Sequence, residues 1–372
     1  MTYLHELSEW PQLRWSAEDL AGLLAAVRHE QGKHLGRMEA LGFPVQSEAS
    51  LEVLTSDVVK SWAIEGEQLD ADEVRSSIAS RLGLDAGGLP RADREVEGIV
   101  EMMLDATQNH AAPLTADRLC AWHAALFPTG RSGLGRITVG AWRPAEAGPM
   151  QVVSGPLGRE RVHFEAPAAD RLDAEMQRFL DWFNAPSETD PVLKAGIAHL
   201  WFLTIHPFED GNGRIARALG DLLLARADRT KARFYSLSAQ IESERKQYYD
   251  ELEAAQRGGL DITSWLAWFL GCLDRAIRGA ESSLAKVLRK AQLWQRVNAR
   301  PVNERQRKII NRMLNDFEGL LTTSKYAKLA GCSSDTALRD VRELLDRGVL
   351  VQNPGGGRNT SYRLAELGEL DG

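Results

Sequence analysis

Twelve residues, His206-Pro-Phe-Glu-Asp-Gly-Asn-Gly-Arg-Ile-Ala-Arg217, constrain the fold and chemistry of this chain more than any other stretch. Before them, 194–205 (KAGIAHLWFLTI) is apolar at helical spacing, and after them 216–227 (ARALGDLLLARA) is a strong helix former. The segment is therefore a loop joining two helices, and Gly211-Asn212-Gly213 opens the second. Backbone N–H groups in a glycine-rich turn at a helix N-terminus are unpaired there, and the helix dipole adds positive potential, so they cradle anions. Asn-Gly pairs also make ordinary turns. A plain turn, however, leaves one imidazole, two carboxylates and two arginines in one short loop without a purpose. Together they are the parts needed to handle a polyphosphate beside a nucleophile.

The chemistry follows from the residue types. Nucleotidyl and phosphoryl transfer need positioning and charge neutralisation more than covalent help from the protein. Mg²⁺ binds through one or two carboxylates plus phosphate oxygens, so a single aspartate suffices as protein ligand. Arginine gives planar, two-pronged contact with phosphate. A histidine with an ordinary pKa near 6.5 is a usable base at neutral pH.

At every defining position the segment resembles the signature of the Fic family, His-Pro-Phe-x-Asp/Glu-Gly-Asn-Gly-Arg-x-x-Arg. Most Fic proteins transfer the AMP part of ATP to a hydroxyl side chain of a target protein (AMPylation). The resemblance implies a mainly α fold, a Fic helical core carrying a β-hairpin flap. It implies that His206 is the general base and that Asp210 holds Mg²⁺ against the phosphates. Asn212, the backbone from Gly211 to Gly213, and Arg214 would bind phosphate oxygens, and Arg217 would pair with the terminal phosphate. Glu209 sits at the variable position, and Phe208 reads as a core anchor.

Two further constellations match the same family. Ser61-Trp-Ala-Ile-Glu65-Gly66 matches the inhibitory motif Ser/Thr-x-x-x-Glu-Gly/Asn. Ser61 and Glu65 share one helix face, and Gly66 suits a helix end. In the family this glutamate pairs with the second signature arginine, here Arg217, and keeps ATP from placing its γ-phosphate productively. The alternative is a solvated acidic helix end, since Glu67, Asp70 and Asp72 follow. Turn residues from Pro144 to Gly158 bracket Met150-Gln-Val-Val-Ser154, and Arg161-Val-His-Phe164 follows, which reads as a short hairpin. It resembles the Fic flap, which pins a target segment by strand addition; Val152, Val153, Ser154 and Gly155 would face the nucleotide. Tyr248, Tyr249 and Gln256, on a helix read as Glu242 to Arg257, match the family's contacts with adenine and ribose, with buried aromatic packing as the rival reading for the tyrosines.

Composition and organisation fit a multidomain enzyme. At 372 residues the chain is long for one compact core. It has no run of about 18 apolar residues, so no membrane span is expected, and its polar start lacks a signal-peptide pattern. Cys120, Cys272 and Cys332 are far apart and show neither disulfide nor zinc spacing, which favours a cytoplasmic setting. Three parts are expected: 1–95, a helical N-terminal region; 96–290, the catalytic helices; and 300–372, a small C-terminal domain. Trp10-Pro-Gln-Leu-Arg-Trp15 with Ser16-Ala-Glu-Asp resembles the N-terminal region of one large bacterial subgroup of Fic proteins, and Ser16 is a suitable N-cap for a helix over 17–40.

In the C-terminal part, helices over 306–315, 323–332 and 333–347, a tight turn at Gly331, and two strands around Gly355-Gly-Gly-Arg358 resemble a winged helix-turn-helix. Residues 300–363 carry 12 Lys and Arg against 7 Asp and Glu, a net +5, whereas the whole chain is −7. DNA is therefore a candidate partner, although the helix over 333–347 carries three Arg against four acidic residues. The leading expectation is an ATP-dependent protein adenylyltransferase held in check by Glu65, acting on hydroxyl-bearing targets including itself, with a homodimer as a further candidate assembly. The competing class is a winged-helix DNA-binding regulator with a nucleotide-sensing Fic domain. Within the enzyme class, AMP removal or transfer of UMP or phosphocholine are the variants.

Overall fold

The computed structural model describes residues 2–84, 89–155, 159, 161–297, 300–314, 317, 319–354 and 360–366. The glycine-rich tip Gly355 to Arg358 and parts of the 82–90 stretch and the flap tip lie outside the described residues. Helices dominate. In chain order they are α1 (Ala17–Glu39), α2 (Phe43–Ile64), α3 (Ala71–Arg81), α4 (Arg94–Gln108), α5 (Ala116–Leu126), α6 (Leu172–Asn184), α7 (Pro191–Ile205) and α8 (Asn212–Asp228), then α9 (Leu237–Ser243), α10 (Arg245–Gln256), α11 (Thr263–Val297), α12 (Glu304–Leu314), α13 (Thr323–Ala330) and α14 (Ser334–Asp346). Three antiparallel hairpins complete the described residues: β1 (Arg131–Ser132) with β2 (Gly135–Arg136), β3 (Gln151–Ser154) with β4 (Arg161–Glu165), and β5 (Leu350–Gln352) with β6 (Tyr362–Leu364).

Contacts divide the chain into two compact units, 1–82 with 91–281, and 83–90 with 282–372. The N-terminal region and the helices of 91–281 thus share one unit. The reason is visible in the contacts. Trp10 Nε1 donates to Glu175 Oε2 of α6 at 2.9 Å, His5 Nε2 lies 2.8 Å from the Glu165 carbonyl, and the Arg14 backbone pairs with both Leu260 and Ile262.

α7 is the centre of the first unit. Asp190 caps it by accepting from Val192 N–H, Pro191 occupies its first turn, and every residue from Val192 to Ile205 is buried. A helix apolar on all sides has to be surrounded. Gly196 makes this possible on one side, because a Cβ there would lie 2.9 Å from Leu266 of α11. α8 packs along α7 and is just as buried, yet carries Asn212, Arg214, Arg217 and Asp221 inward. Buried charges require partners. Arg233 supplies one set, with Asp221 at 3.1 Å and Asp228 at 3.0 Å. Asp57 of α2 accepts from Ser236 Oγ and Ser238 N–H, tying α2 to the segment after α8.

The expected helix 242–257 is interrupted. α9 ends at Ser243 and α10 starts at Arg245; Glu244 between them leaves the helical region (φ −109°, ψ 23°), and its carboxylate takes both Nε and Nη2 of Arg275.

The second unit has its own core of Ile309, Ile310, Leu321, Tyr326, Val341, Leu344, Leu350 and Tyr362. Three helices precede the β5–β6 hairpin, Gly331 makes the left-handed turn between α13 and α14 (φ 64°), and Asp340 is buried against Arg305, Asn303 and Tyr326. The exposed side of α14 mixes Arg339 and Arg342 with Asp335, Glu343 and Asp346. Among the described residues no helix is long and apolar enough to cross a membrane.

A close approach of two helices in the first unit gives a test of the packing. A Cβ on Gly98 of α4 would fall 2.0 Å from the carbonyl oxygen of Ala125 in α5. Gly98→Ala must part the two helices, so it should destabilise the protein by about 1–3 kcal/mol despite the higher helix propensity of alanine. Chemical denaturation of the variant measures this, and parental stability would contradict the close approach.

Candidate active site

The loop between α7 and α8 is built by backbone conformation first. His206 caps α7 in the left-handed region (φ 51°), an uncommon state for a non-glycine residue. Gly211 is also left-handed (φ 80°), and a Cβ there would meet Phe127 at 2.9 Å. Three side chains hold the intervening turn. Asn212 Oδ1 accepts from Phe208 N–H at 3.0 Å and its Nδ2 donates to the Phe208 carbonyl at 2.8 Å. Arg143 is buried, donates its Nε to the His206 carbonyl at 2.9 Å, and also bonds the Pro167 carbonyl. His123 stacks on Phe208 (centroids 4.2 Å apart), takes the Gly140 N–H on Nδ1 and donates Nε2–H to the Asp210 carbonyl at 3.2 Å. Burial pushes the His123 pKa down to about 4, so this bridge stays neutral.

His206 presents one nitrogen to the chain and one to the cleft. Its Nδ1 lies 3.3 Å from the Leu203 carbonyl, which can only accept, so Nδ1 carries the hydrogen and Nε2 is the free lone pair. The same carbonyl receives Gln256 Nε2 at 3.2 Å, so Gln256 supports the histidine's anchor. Burial lowers the His206 pKa to about 4, against the opposing pull of the Leu203 carbonyl. The imidazole is therefore neutral at pH 7 and able to accept a proton.

The anion cradle is beside it. The first N–H groups of α8 have no intrahelical partner by construction. Arg217, 1 % exposed, donates Nε to Ser61 Oγ (2.8 Å) and Nη2 to the Ser61 carbonyl (2.9 Å) and to Glu65 Oε1 (2.7 Å). Glu65 also covers the helix start, since a Cβ on Gly213 would lie 2.4 Å from its Oε1. Arg214 stacks between Trp62 and Phe127, 4.9 Å from each ring, and reaches Glu67 at 3.3 Å and Asp210 at 3.4 Å. Arg217 Nη1 and Arg214 Nε are buried without a protein partner among the described residues. Such donors suit an anion placed at this helix end.

α2 delivers its carboxylates by a helix-end device. Glu65 is the last helical-region residue, Gly66 turns left-handed (φ 88°), Gly66 N–H bonds the Ala63 carbonyl and Glu67 N–H bonds the Trp62 carbonyl. Open space surrounds a Cβ at Gly66, so its backbone angle, and not crowding, calls for glycine.

Asp210 accepts from Gly211 N–H at 2.6 Å and from Ser132 Oγ, and its side chain is 40 % exposed. Glu209 instead accepts from Thr138 N–H, away from this role. Among the described residues no three His, Cys, Asp or Glu side chains gather to hold a metal by themselves. One exposed carboxylate beside a phosphate-type cradle is the donor set that Mg²⁺ uses when phosphate oxygens complete its shell.

A cleft of about 740 Å³ is bordered by Glu65, His206, Gly213, Tyr249, Gln256 and the β3 residues Val152 to Ser154. The hairpin pairs Gln151 with Glu165 and Ser154 with Arg161, with a bulge between Val152 and Val153. Tyr249 is part-exposed, 3.4 Å from the Ile64 carbonyl, whereas Tyr248 is buried and bonds His199 at 3.0 Å. Both border the cleft, but Tyr248 also packs on Trp265 and Trp268. Sequence reasoning missed Ser132, His123 and Arg143. Ser132 and His123 lie in no motif, Arg143 opens the flap segment without a role assigned to it, and only the fold brings the three to the loop.

This arrangement places a neutral imidazole and the N-terminus of α8 on one cleft, with two arginines buried beside that helix start. Residues 113–224 match the Fic/DOC family, and 3–84 match a domain of unknown function, DUF4172. The chain therefore carries a Fic/DOC-family domain over 113–224. It is 27 % identical to the protein adenylyltransferase Fic of Drosophila willistoni over 236 residues, 62 % of this chain and 42 % of that relative. It is 32 % identical to the protein adenylyltransferase fic-1 of Caenorhabditis elegans over 127 residues, 34 % of this chain and 23 % of the relative. The chain thus spans less than half the length of these relatives. Its fold matches a Fic family protein from Desulfovibrio desulfuricans G20 with a TM-score of 0.55 and 22 % identity, covering 95 % of this chain and 97 % of that one.

The histidine environment gives a direct check. His206 should titrate near pH 4 by NMR, well below an ordinary histidine. Because the unfolded chain binds the proton more readily, the stability that neutral His206 contributes is present above about pH 6.5 and is lost as pH falls toward 4. A midpoint at or above 6.5 would contradict the buried, carbonyl-anchored imidazole.

Proposed function

We propose that this protein is an adenylyltransferase that moves AMP from ATP to a hydroxyl side chain of a protein target, and that Glu65 restrains it. The observation that carries the reading is the free Nε2 of His206 in the same cleft as the α8 N-terminus, whose Arg217 is held by Glu65 at 2.7 Å. The names of the relatives support the chemistry, and the match of the twelve-residue signature supports its assignment to this loop.

The reaction follows from the residues. A target hydroxyl gives its proton to His206 Nε2 as its oxygen attacks the α-phosphorus. The new P–O bond forms while the bond to the β-phosphate oxygen breaks, and pyrophosphate leaves. The N–H groups of Asn212 to Arg214, with the unpaired donors of Arg214 and Arg217, neutralise the phosphate oxygens. The Asn212 side chain keeps the turn in shape by clasping Phe208. Mg²⁺, held by Asp210, would supply further neutralisation of the triphosphate. The β3 strand has an exposed Val153 and a bulged edge, suited to adding a strand of the target.

With Glu65 in place, Arg217 spends its charge on a carboxylate of its own chain, and ATP is misplaced. About 1 Å of misplacement can cost 10²-fold in rate. Glu65→Gly should therefore raise AMP transfer from α-labelled ATP by about 10- to 100-fold. Adding Arg217→Ala should cancel the gain, and adding His206→Ala should lower transfer to an added protein acceptor by about 10²-fold or more while nucleotide still binds. An unchanged or lower signal in Glu65→Gly would refute the restraint. Near-parental transfer in the His206→Ala double variant would refute the base.

A second expectation concerns the metal. Asp210→Ala in the Glu65→Gly background should abolish Mg²⁺-supported transfer, whereas Glu209→Ala, whose carboxylate serves the Thr138 backbone, should retain most of it. The reverse pattern would show that the other carboxylate holds the ion.

A further inference from the structure

The cleft contains a second hydroxyl–imidazole–carboxylate relay that the His206 chemistry does not use. Ser154 closes β3, and His163 lies on β4, whose register pairs Ser154 with Arg161. Ser154 Oγ is 2.5 Å from His163 Nε2, and His163 Nδ1 is 2.6 Å from Glu253 Oε2 of α10. A carboxylate only accepts, so Nδ1 carries the hydrogen, Nε2 is the acceptor, and the Ser154 hydroxyl donates to it. That is the proton route of an activated nucleophile: hydroxyl, base, and a group that orients the base.

The carboxylate is itself fixed. Glu253 also takes Arg161 Nη2 at 2.8 Å and Arg257 Nη1 at 2.9 Å. Burial raises its pKa, but hydrogen bonds from His163 and Arg161 outweigh this and hold it below the ordinary range, so it stays ionised. Arg257 further bonds the carbonyls of Val162 (2.7 Å) and His163 (2.9 Å). These arginine contacts are sufficient to dock the hairpin on α10; they need no hydroxyl on the imidazole. Ser154 is exposed and borders the same cleft as His206 and Gly213.

We propose that Ser154, with His163 as its base and Glu253 orienting that base, is a self-modification site that accepts AMP in cis. This rests on the nucleotidyl-transfer reading above. Ser154 Oγ attacks the α-phosphorus of a nucleoside triphosphate bound in the cleft. The Oγ–P bond forms, the α-phosphorus–oxygen bond to the β-phosphate breaks, pyrophosphate leaves, and the hydroxyl proton passes to His163 Nε2. The product is an AMP–serine ester on the flap, at the edge where a target strand would add.

The full chain carrying Glu65→Gly is incubated with Mg²⁺ and ATP, and its peptides are mapped by mass spectrometry. AMP should appear on Ser154, disappear in Ser154→Ala, and fall at least about 10-fold on Ser154 in His163→Gln, while label on an added protein acceptor persists in that variant. AMP on other residues but not on Ser154, or full Ser154 labelling in His163→Gln, overturns the proposal and leaves the transferase reading intact. A fluorophosphonate, which needs an activated serine and no nucleotide, provides the second measurement. It should label Ser154 in the parent and about 10-fold less in His163→Gln. If no acceptor takes AMP, the transferase reading fails, and absent fluorophosphonate labelling then overturns the serine's activation as well.

Discussion

A guanidinium 1 % exposed inside a helical core has to be neutralised and hydrogen-bonded, and the site is organised around how Arg217 meets that demand. Its acceptors come from α2, a helix far away in the chain: Ser61 Oγ, the Ser61 carbonyl and Glu65 Oε1. The Asp57–Ser236 contact and the α2 core residues Val58, Trp62 and Ile64 hold that helix in place. The guanidinium remains protonated, since its charge is favoured by Glu65 despite the opposing cost of burial. One donor, Nη1, is left without a protein partner among the described residues. Arg217 is therefore satisfied enough to fold around and incomplete enough to bind an anion. On the proposed reading, its carboxylate partner and a nucleotide phosphate compete for it.

The loop between α7 and α8 depends on partners in the same way. Two residues of the turn are left-handed, Gly211 without steric cost and His206 against one. They persist because Arg143, His123 and Asn212 each satisfy loop backbone groups that the turn leaves open. The imidazole of His206 then has one nitrogen fixed by Leu203 and one facing the cleft. Residues of β3 and the end of α2 border the cleft from other elements.

Much of this was readable in the sequence, for identifiable reasons. α7 and α8 announce themselves by continuous apolar helix formers, Ser16 and Gly331 act as the helix start and stop they resemble, and the hairpin was bracketed by turn residues. His206 to Arg217 form a contiguous motif, so local pattern carries their placement. Ser61 and Glu65 match a family motif that implies the pairing of Glu65 with Arg217, and the fold brings Arg217 to 2.8 Å from Ser61 Oγ and 2.7 Å from Glu65 Oε1. The partition of the chain was less legible. The glycine-rich stretch after Arg81 suggested a boundary, but Trp10, His5 and Arg14 bind the N-terminal region into the same unit as the helices of 91–281. The break at Glu244 was invisible because both flanking segments favour helix, and the contact of Glu244 with Arg275 is tertiary. Ser132 and His123 have no motif to mark them, and Arg143 opens the flap segment without a role assigned to it. The Ser154–His163–Glu253 relay joins two strands and a helix, so no linear pattern reveals it.

The central claim is that Glu65 and a nucleotide's terminal phosphate occupy the same arginine. Isothermal titration of ATP and of AMP into the full chain, with and without Glu65→Gly, tests this without any turnover. The account predicts that removing the carboxylate strengthens ATP binding by roughly the worth of a charge-assisted contact, about 1.5–3 kcal/mol or some 10- to 100-fold. AMP, which lacks the terminal phosphate, should bind both proteins alike. Equal ATP affinities in the two proteins, or an equal gain for AMP, would contradict it.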